Sequence, residues 1–430
     1  MPTYSNVNRA IRDASPALDA LLSELGRAAE YPPDIPFQAA QARSVSLNAT
    51  IGQITDGSGG ILALRAVSEQ LGSLADRHLD AALLYSPVEG DPELRRLWAR
   101  HHRPSGAAGA GSSLPLVTIG LTEALSLVAD LCCDRGRAVL VPAPFWGNYR
   151  QIFGLRRGAS IVPVEVIRER RFEARAIVEA VHSQPEGEPV VLILNFPSNP
   201  LGYSPTVDER TELVEGLVRA AEARPILAIC DDAYSGLVFE DGVPSESLYW
   251  SLVGRHPSLL PVKIDGATKE LVLFGARVGF LTFPFPRDSA VAIAVESKLK
   301  CLLRASVGSP VALSQRLVVE TLRTPGVEDQ VATVREILGR RYRCLKEALA
   351  AADPRLLRPV AFNSGCFAVL DLPDGLDSEK VRRRLLADYD TGVVSLGGRY
   401  VRLAYCSVKE ESLGTLIERI EECLSAMLSE

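Results

Sequence analysis

No run of eighteen apolar residues occurs anywhere in this chain, which leaves no segment suited to cross a bilayer as a helix. The opening Met1-Pro2-Thr3-Tyr4-Ser5-Asn6 lacks both a basic stretch and an apolar core, so no secretory leader is expected and a soluble, cytoplasmic protein is. There is no excess of positive charge: 47 Lys and Arg stand against 53 Asp and Glu, for a net charge of −6. That balance gives no support to a nucleic-acid partner. The eight cysteines show no Cys-x-x-Cys spacing and lie mostly in apolar surroundings, so free buried thiols in a reducing compartment are expected rather than disulfides. The five histidines (His78, His101, His102, His182, His256) form no ligand pattern with cysteine or acid, and no metal site is expected. Internal repeats and low-complexity tracts are also absent.

What is present is length and alternation. At 430 residues the chain can bury one large core and a second, smaller one. Residues 1–48 mix short helical stretches with Pro32-Pro33 and read as an arm and linker. Helical spacing recurs from Leu62 to Leu74 and from Glu93 to His101. Leu114–Ile119 reads as a strand before an apolar helix from Thr122 to Cys133, and Ala138–Pro142 as another strand. Pro189–Leu194 and Pro225–Cys230 are uninterrupted apolar runs separated by a helix from Val207 to Ala221. Strands that are apolar throughout, alternating with helices, imply a mostly parallel sheet covered on both faces. A long helix over 327–352 then leads to a mixed tail: strands at Cys366–Leu372 and Tyr400–Tyr405, helices at Ser378–Asp388 and Glu410–Leu428. The expected division is therefore 1–58 as arm and part of a small domain, 59–325 as a large α/β domain, and 326–430 as the rest of the small α+β domain.

Ligands of parallel sheets collect past the carboxyl ends of the strands, and the strongest motifs lie there. Asn195-Phe196-Pro197-Ser198-Asn199-Pro200-Leu201-Gly202 follows one apolar strand, and Asp231-Asp232-Ala233-Tyr234 the next. Gly120-Leu121-Thr122 opens a helix whose free amide groups suit a phosphate. Trp146 is an aromatic on a rigid loop, with Phe145 as its rival. Downstream, Asp265-Gly266-Ala267-Thr268-Lys269-Glu270 is followed by Arg277, whose charge favours a neutral lysine amine. Asp231, desolvated at a strand end, needs a cationic partner, and a protonated pyridine nitrogen is one. Tyr234 is within reach of a phenolic oxygen. Together these residues suggest that Lys269 forms an imine with pyridoxal phosphate. Arg402 alternates with apolar residues on a strand and points inward, where a carboxylate would satisfy it; Arg399 is the rival.

In this order and spacing the motifs resemble the class I aminotransferases of pyridoxal phosphate fold type I, the aspartate aminotransferases in particular, over nearly the whole chain. The resemblance implies the fold: a large domain built on a seven-stranded, mostly parallel sheet with flanking helices, and a smaller α+β domain. It implies that Lys269 carries the cofactor and that Asp231 meets the pyridine nitrogen. Asn199 and Tyr234 fall on the phenolic oxygen and Trp146 on the ring face. Gly120, Leu121, Thr122, Thr268 and Arg277 fall on the phosphate. Tyr85, in Tyr85-Ser86-Pro87-Val88-Glu89-Gly90, is implied to reach the phosphate in a partner subunit, which makes the expected assembly a homodimer with shared sites. Arg402 is implied to bind the substrate α-carboxylate near Gly52. Asn363-Ser364-Gly365-Cys366-Phe367 is similar to the segment that puts a phenylalanine, here Phe367, at the site rim. Arg304 heads a segment similar to the one that pairs, from the neighbouring subunit, with the side-chain carboxylate of a dicarboxylic substrate. The chain departs at Gly266, where the family usually has a serine that touches the phosphate. The implied reaction is transamination between an L-amino acid, aspartate, glutamate or an aromatic one, and a 2-oxo acid. A lyase, decarboxylase or cyclase on the same cofactor is the alternative, and a regulatory or binding protein that kept the fold the second.

Overall fold

The uninterrupted apolar runs become the centre of a seven-stranded sheet. In the computed structural model, which describes residues 6–32, 34–104 and 111–430, its strands are β1 (Leu116–Ile119), β2 (Ala138–Ala143), β3 (Ser160–Glu165), β4 (Val190–Asn195), β5 (Ile226–Asp231), β6 (Leu259–Gly266) and β7 (Val278–Thr282). Met1–Ser5 of the opening segment and Pro33 of the linker lie outside the described residues. The order across the sheet is β1-β7-β6-β5-β4-β2-β3. Neighbours from β6 to β3 run parallel, and only β7 runs against its neighbours β1 and β6.

The strands are apolar throughout because both faces are covered. Leu192 and Leu194 of β4 and Ala228 and Cys230 of β5 pack under the helices Ala174–His182 and Val207–Ala221. Val191, Ile193, Leu227 and Ile229 point the other way, against Leu121, Leu125 and Val128 of the helix Gly120–Cys132. β6 was not legible in the sequence. Lys263 and Asp265 interrupt its apolar run, yet both are buried, paired with each other, and Trp98 Nε1 donates to Asp265 Oδ2 at 2.9 Å.

A second, antiparallel sheet holds β8 (Arg358–Pro359), β9 (Ala368–Asp371), β10 (Val394–Leu396) and β11 (Tyr400–Leu403) in the order β8-β9-β11-β10. The helices Val327–Ala351 and Leu413–Ser429 pack on it through Tyr342, Leu345, Leu416 and Ile420. Leu47–Asn48 pairs in parallel with Thr391–Gly392, which ties the segment before the large sheet to the C-terminal part of the chain. Ahead of it the arm is more regular than the sequence suggested. Four helices run from Asn6 to Gln41. The last, Ile35–Gln41, docks on β10 where Gln38 and the Ser395 backbone exchange hydrogen bonds of 2.8 and 3.2 Å. None of the described helices is long and apolar enough to cross a membrane.

Candidate active site

β4, β5 and β6 end side by side, and their last residues are the beginning of a site. Asn195 and Asp231 are register partners on adjacent parallel strands. Asp231 is 3% exposed; its Oδ2 accepts from Tyr149 Oη at 2.6 Å and its Oδ1 from the Ala233 amide at 3.2 Å. Burial pushes its pKa above the usual carboxylate value, against the pull of the Tyr149 hydrogen bond and of the Lys269 charge. Asn195 Nδ2 donates to the Asp231 carbonyl at 2.8 Å, and its Oδ1 accepts from the Asn199 amide at 2.8 Å. One side chain thus ties the Asn199 loop to the strand that carries Asp231.

β6 delivers the lysine. After Gly266 the chain turns into the short helix Ala267–Glu270. A Cβ at Gly266 would stand 2.6 Å from both the Val278 carbonyl oxygen and Leu121 Cδ1, so any larger residue forces backbone to move. The Lys269 amine sits 4.8 Å above the Tyr234 ring. Burial is the main cause that draws its pKa below that of a free lysine; Arg277 adds to the effect and Asp231 opposes it. Arg277 itself adopts a left-handed backbone, with φ of 54°, which is strained for a residue with a Cβ. That turn lays its guanidinium over the amino end of the helix Gly120–Cys132, where a Cβ at Gly120 would lie 2.5 Å from Arg277 Nη2.

These elements enclose a cavity of about 200 Å³. Lys269, Asp231, Tyr234, Asn199 and Trp146 line it, with Leu121, Thr122, Thr268 and Arg277 at one end, and Gly120 directly beneath Arg277. Arg402 adjoins the cavity through Asn199. It is 1% exposed, with Nη1 donating to Asn199 Oδ1 at 3.1 Å and Nη2 to the Thr50 carbonyl at 2.5 Å, and burial pushes its pKa down to about 10. Its guanidinium lies 4.4 Å from the centre of the Phe367 ring. A Cβ at Gly52 would come within 2.6 Å of that ring. Phe367 is not at a rim as expected: it is buried, wedged between Arg402 and an edge-on Tyr234.

The residues fit the cofactor that the sequence suggests. Asp231 is a buried carboxylate whose hydrogen-bond donors are a phenol and an amide, so a protonated ring nitrogen would relieve its desolvation. Thr268 Oγ1 is buried without a partner at the end where Arg277 meets the helix amides, and cation, hydroxyl and helix end together make a phosphate cup. Tyr85 and Arg304 stand apart from this cavity. Tyr85 is 97% exposed and Arg304 is on the surface as well.

Two neighbours of the site escaped the sequence reading. Tyr149 lies three residues past Trp146 in the same rigid segment, and Asn195 closes the apolar strand ahead of Asn199. Each position carries a signal, namely a polar group at a strand end or one loop turn from a proposed ring contact. The histidines also differ from expectation. His101 Nε2 meets Glu270 Oε1 at 2.7 Å and His102 Nε2 lies 3.0 Å from Glu270 Oε2, so the residue after Lys269 is held by two imidazoles at the protein surface. The fold makes this grouping from residues 168 and 169 positions apart, which no local pattern reveals.

The family model described as aminotransferase class I and II matches residues 48–420. An aspartate/prephenate aminotransferase of Thermus thermophilus is 28% identical over 79% of this chain and 83% of its own length. A 2-aminoadipate transaminase of the same species is 26% identical over 81% and 83%. Among solved structures, an aminotransferase from Anaerococcus prevotii superposes with a TM-score of 0.81 at 20% identity, over 93% of this chain and 98% of that one.

Proposed function

The chain belongs to the class I and II aminotransferases, and from that premise we propose how its residues divide the work. It is a pyridoxal phosphate-dependent transferase that moves an amino group between an amino acid and a 2-oxo acid. When bound, the cofactor supplies an electron-accepting ring that acidifies the substrate's α-proton. Lys269 anchors it. Asp231, braced by Tyr149, holds the pyridine nitrogen in its protonated form. Asn199 and Tyr234 serve the phenolic oxygen, and Trp146 covers the ring. The Gly120, Leu121 and Thr122 amides, Thr268 Oγ1 and Arg277 take the phosphate, joined by Tyr85 of the partner subunit in a homodimer.

Arg402 grips the substrate α-carboxylate, and Gly52 and Phe367 shape the space beside it. Lys269 Nζ, shifted toward its neutral form by burial, would take the α-proton as general base and hold it for return on the far side of the substrate's amino nitrogen. Arg304 of the partner subunit faces the side-chain carboxylate when the substrate is dicarboxylic. The large domain spans 59–325 and the small one 1–58 with 326–430. The eight free cysteines support a cytoplasmic location.

The observation that carries this reading is the amine of half-buried Lys269 and the buried carboxylate of Asp231 lining one cavity. The test is absorbance and turnover together. Purified protein is expected to show a cofactor band that borohydride abolishes, and to yield 2-oxo acid from an amino acid in a single half-reaction. Lys269→Ala is expected to abolish turnover; normal turnover in that variant would end the proposal. Release of CO2 or ammonia in place of a 2-oxo acid would point to the lyase alternative.

A further inference from the structure

Next to the cofactor cavity lies a larger one of about 620 Å³, and the two share Trp146 and Asn199. Its outer wall is the N-terminal arm, with Tyr31, Ile35 and Pro36 facing Phe145, Leu155 and Leu396. The docking of Gln38 on Ser395 fixes that wall in place. The charged groups among its described lining residues are Glu30 and Asp34, both acidic; no lysine or arginine lines it. A distal carboxylate entering here would therefore meet like charge from this chain, with Arg304 of the partner subunit as its one proposed counter-ion.

Two buried oxygens of this wall have no partner: Asp34 Oδ1 and Gln151 Oε1. Asp34 is also the N-cap of the helix Ile35–Gln41 but makes no side-chain cap hydrogen bond, although an aspartate there ordinarily does. Its carboxylate is free of the structural duty its position offers. A buried acceptor without a donor is costly, and two of them beside an apolar enclosure define what a ligand must bring.

We propose that this cavity receives the side chain of one member of the substrate pair, and that this member has a large, mostly apolar side chain ending in a hydrogen-bond donor, such as an aromatic amine, a phenol or an indole N–H. The proposal rests on the reading that Arg402, through Asn199, fixes the substrate's carboxylate end. Asp34 and Gln151 are then specificity-determining residues for the far end.

Single-turnover half-reactions of the holoenzyme test this, followed by loss of the cofactor band, with L-alanine, L-phenylalanine, 4-amino-L-phenylalanine, L-tyrosine, L-tryptophan, L-aspartate and L-glutamate. L-phenylalanine is expected to exceed L-alanine in kcat/KM, and 4-amino-L-phenylalanine to exceed L-phenylalanine by about tenfold, the worth of one hydrogen bond to a charged acceptor. In Asp34→Asn, and further in Asp34→Asn with Gln151→Leu, the ratio of those last two is expected to fall toward one. Conversion of aspartate and glutamate without the aromatic amino acids, or a ratio that ignores Asp34, would overturn this inference and leave the proposed function standing. No conversion of any amino acid would overturn both.

Discussion

Asp231 ends an apolar strand, and a carboxylate in that place is an argument in itself. Buried without a cation it is destabilised, so its neighbourhood must supply what the sheet cannot. Tyr149 supplies part of it, at 2.6 Å from Oδ2. Tyr149→Phe removes a hydrogen bond to a charged group, worth about 1.5–3 kcal/mol. The Asp231 pKa then rises further and its hold on a protonated ring nitrogen weakens. Cofactor titration by absorbance is expected to show affinity lowered by roughly ten- to a hundredfold; unchanged affinity would remove Tyr149 from the site. Asp231 was legible in the sequence because a charged residue closes an apolar run. Tyr149 was not, because its partner lies 82 positions away and only the parallel packing of β2 and β5 around β4 brings the two together.

The turn from β6 to β7 is the element that aims Lys269. Its closeness to the helix Gly120–Cys132 is possible because Gly120, Gly266 and Gly279 meet there without side chains; a Cβ at Gly279 would stand 2.5 Å from the Gly120 carbonyl carbon. This gives Gly266 a physical reason in place of the hydroxyl usual at that position. Gly266→Ala is expected to cost about 1–3 kcal/mol by overpacking, seen as a lower thermal midpoint, and to weaken cofactor binding by displacing Lys269. A midpoint equal to the parent's would mean that β7 yields freely at this edge. β4 and β5 could be read from their composition, since both faces of a central parallel strand are apolar. β6 resisted, because its buried Lys263 and Asp265 satisfy each other and so escape the rule that apolar runs mark buried strands. The N-terminal helices resisted for a different reason: their packing partners are β10 and the loop after β2, far along the chain.

At the scale of the whole molecule, an apolar run is left exposed. Leu83 (72%), Leu84 (67%) and Tyr85 (97%) are exposed in succession at the end of the helix Arg65–Leu83. Exposure of that kind is what a second subunit would cover, and it coincides with the residue proposed to reach a second site. Light scattering is expected to give the mass of two chains. Tyr85→Phe, which keeps the apolar contact and removes the hydroxyl, is expected to lower cofactor affinity severalfold with the mass unchanged; a monomer with full cofactor affinity would refute shared sites. The sequence by itself determined the central strands, the long helices and the residues proposed to react, because alternation of apolar runs and the residues that close them are local properties. Tertiary structure alone decided the rest: which phenol braces Asp231, why position 266 has no side chain, and that the N-terminal arm walls an acidic, apolar chamber beside Asn199. Those facts depend on contacts between residues tens to hundreds of positions apart, and burial, which sets their energies, exists only once the chain has closed around them.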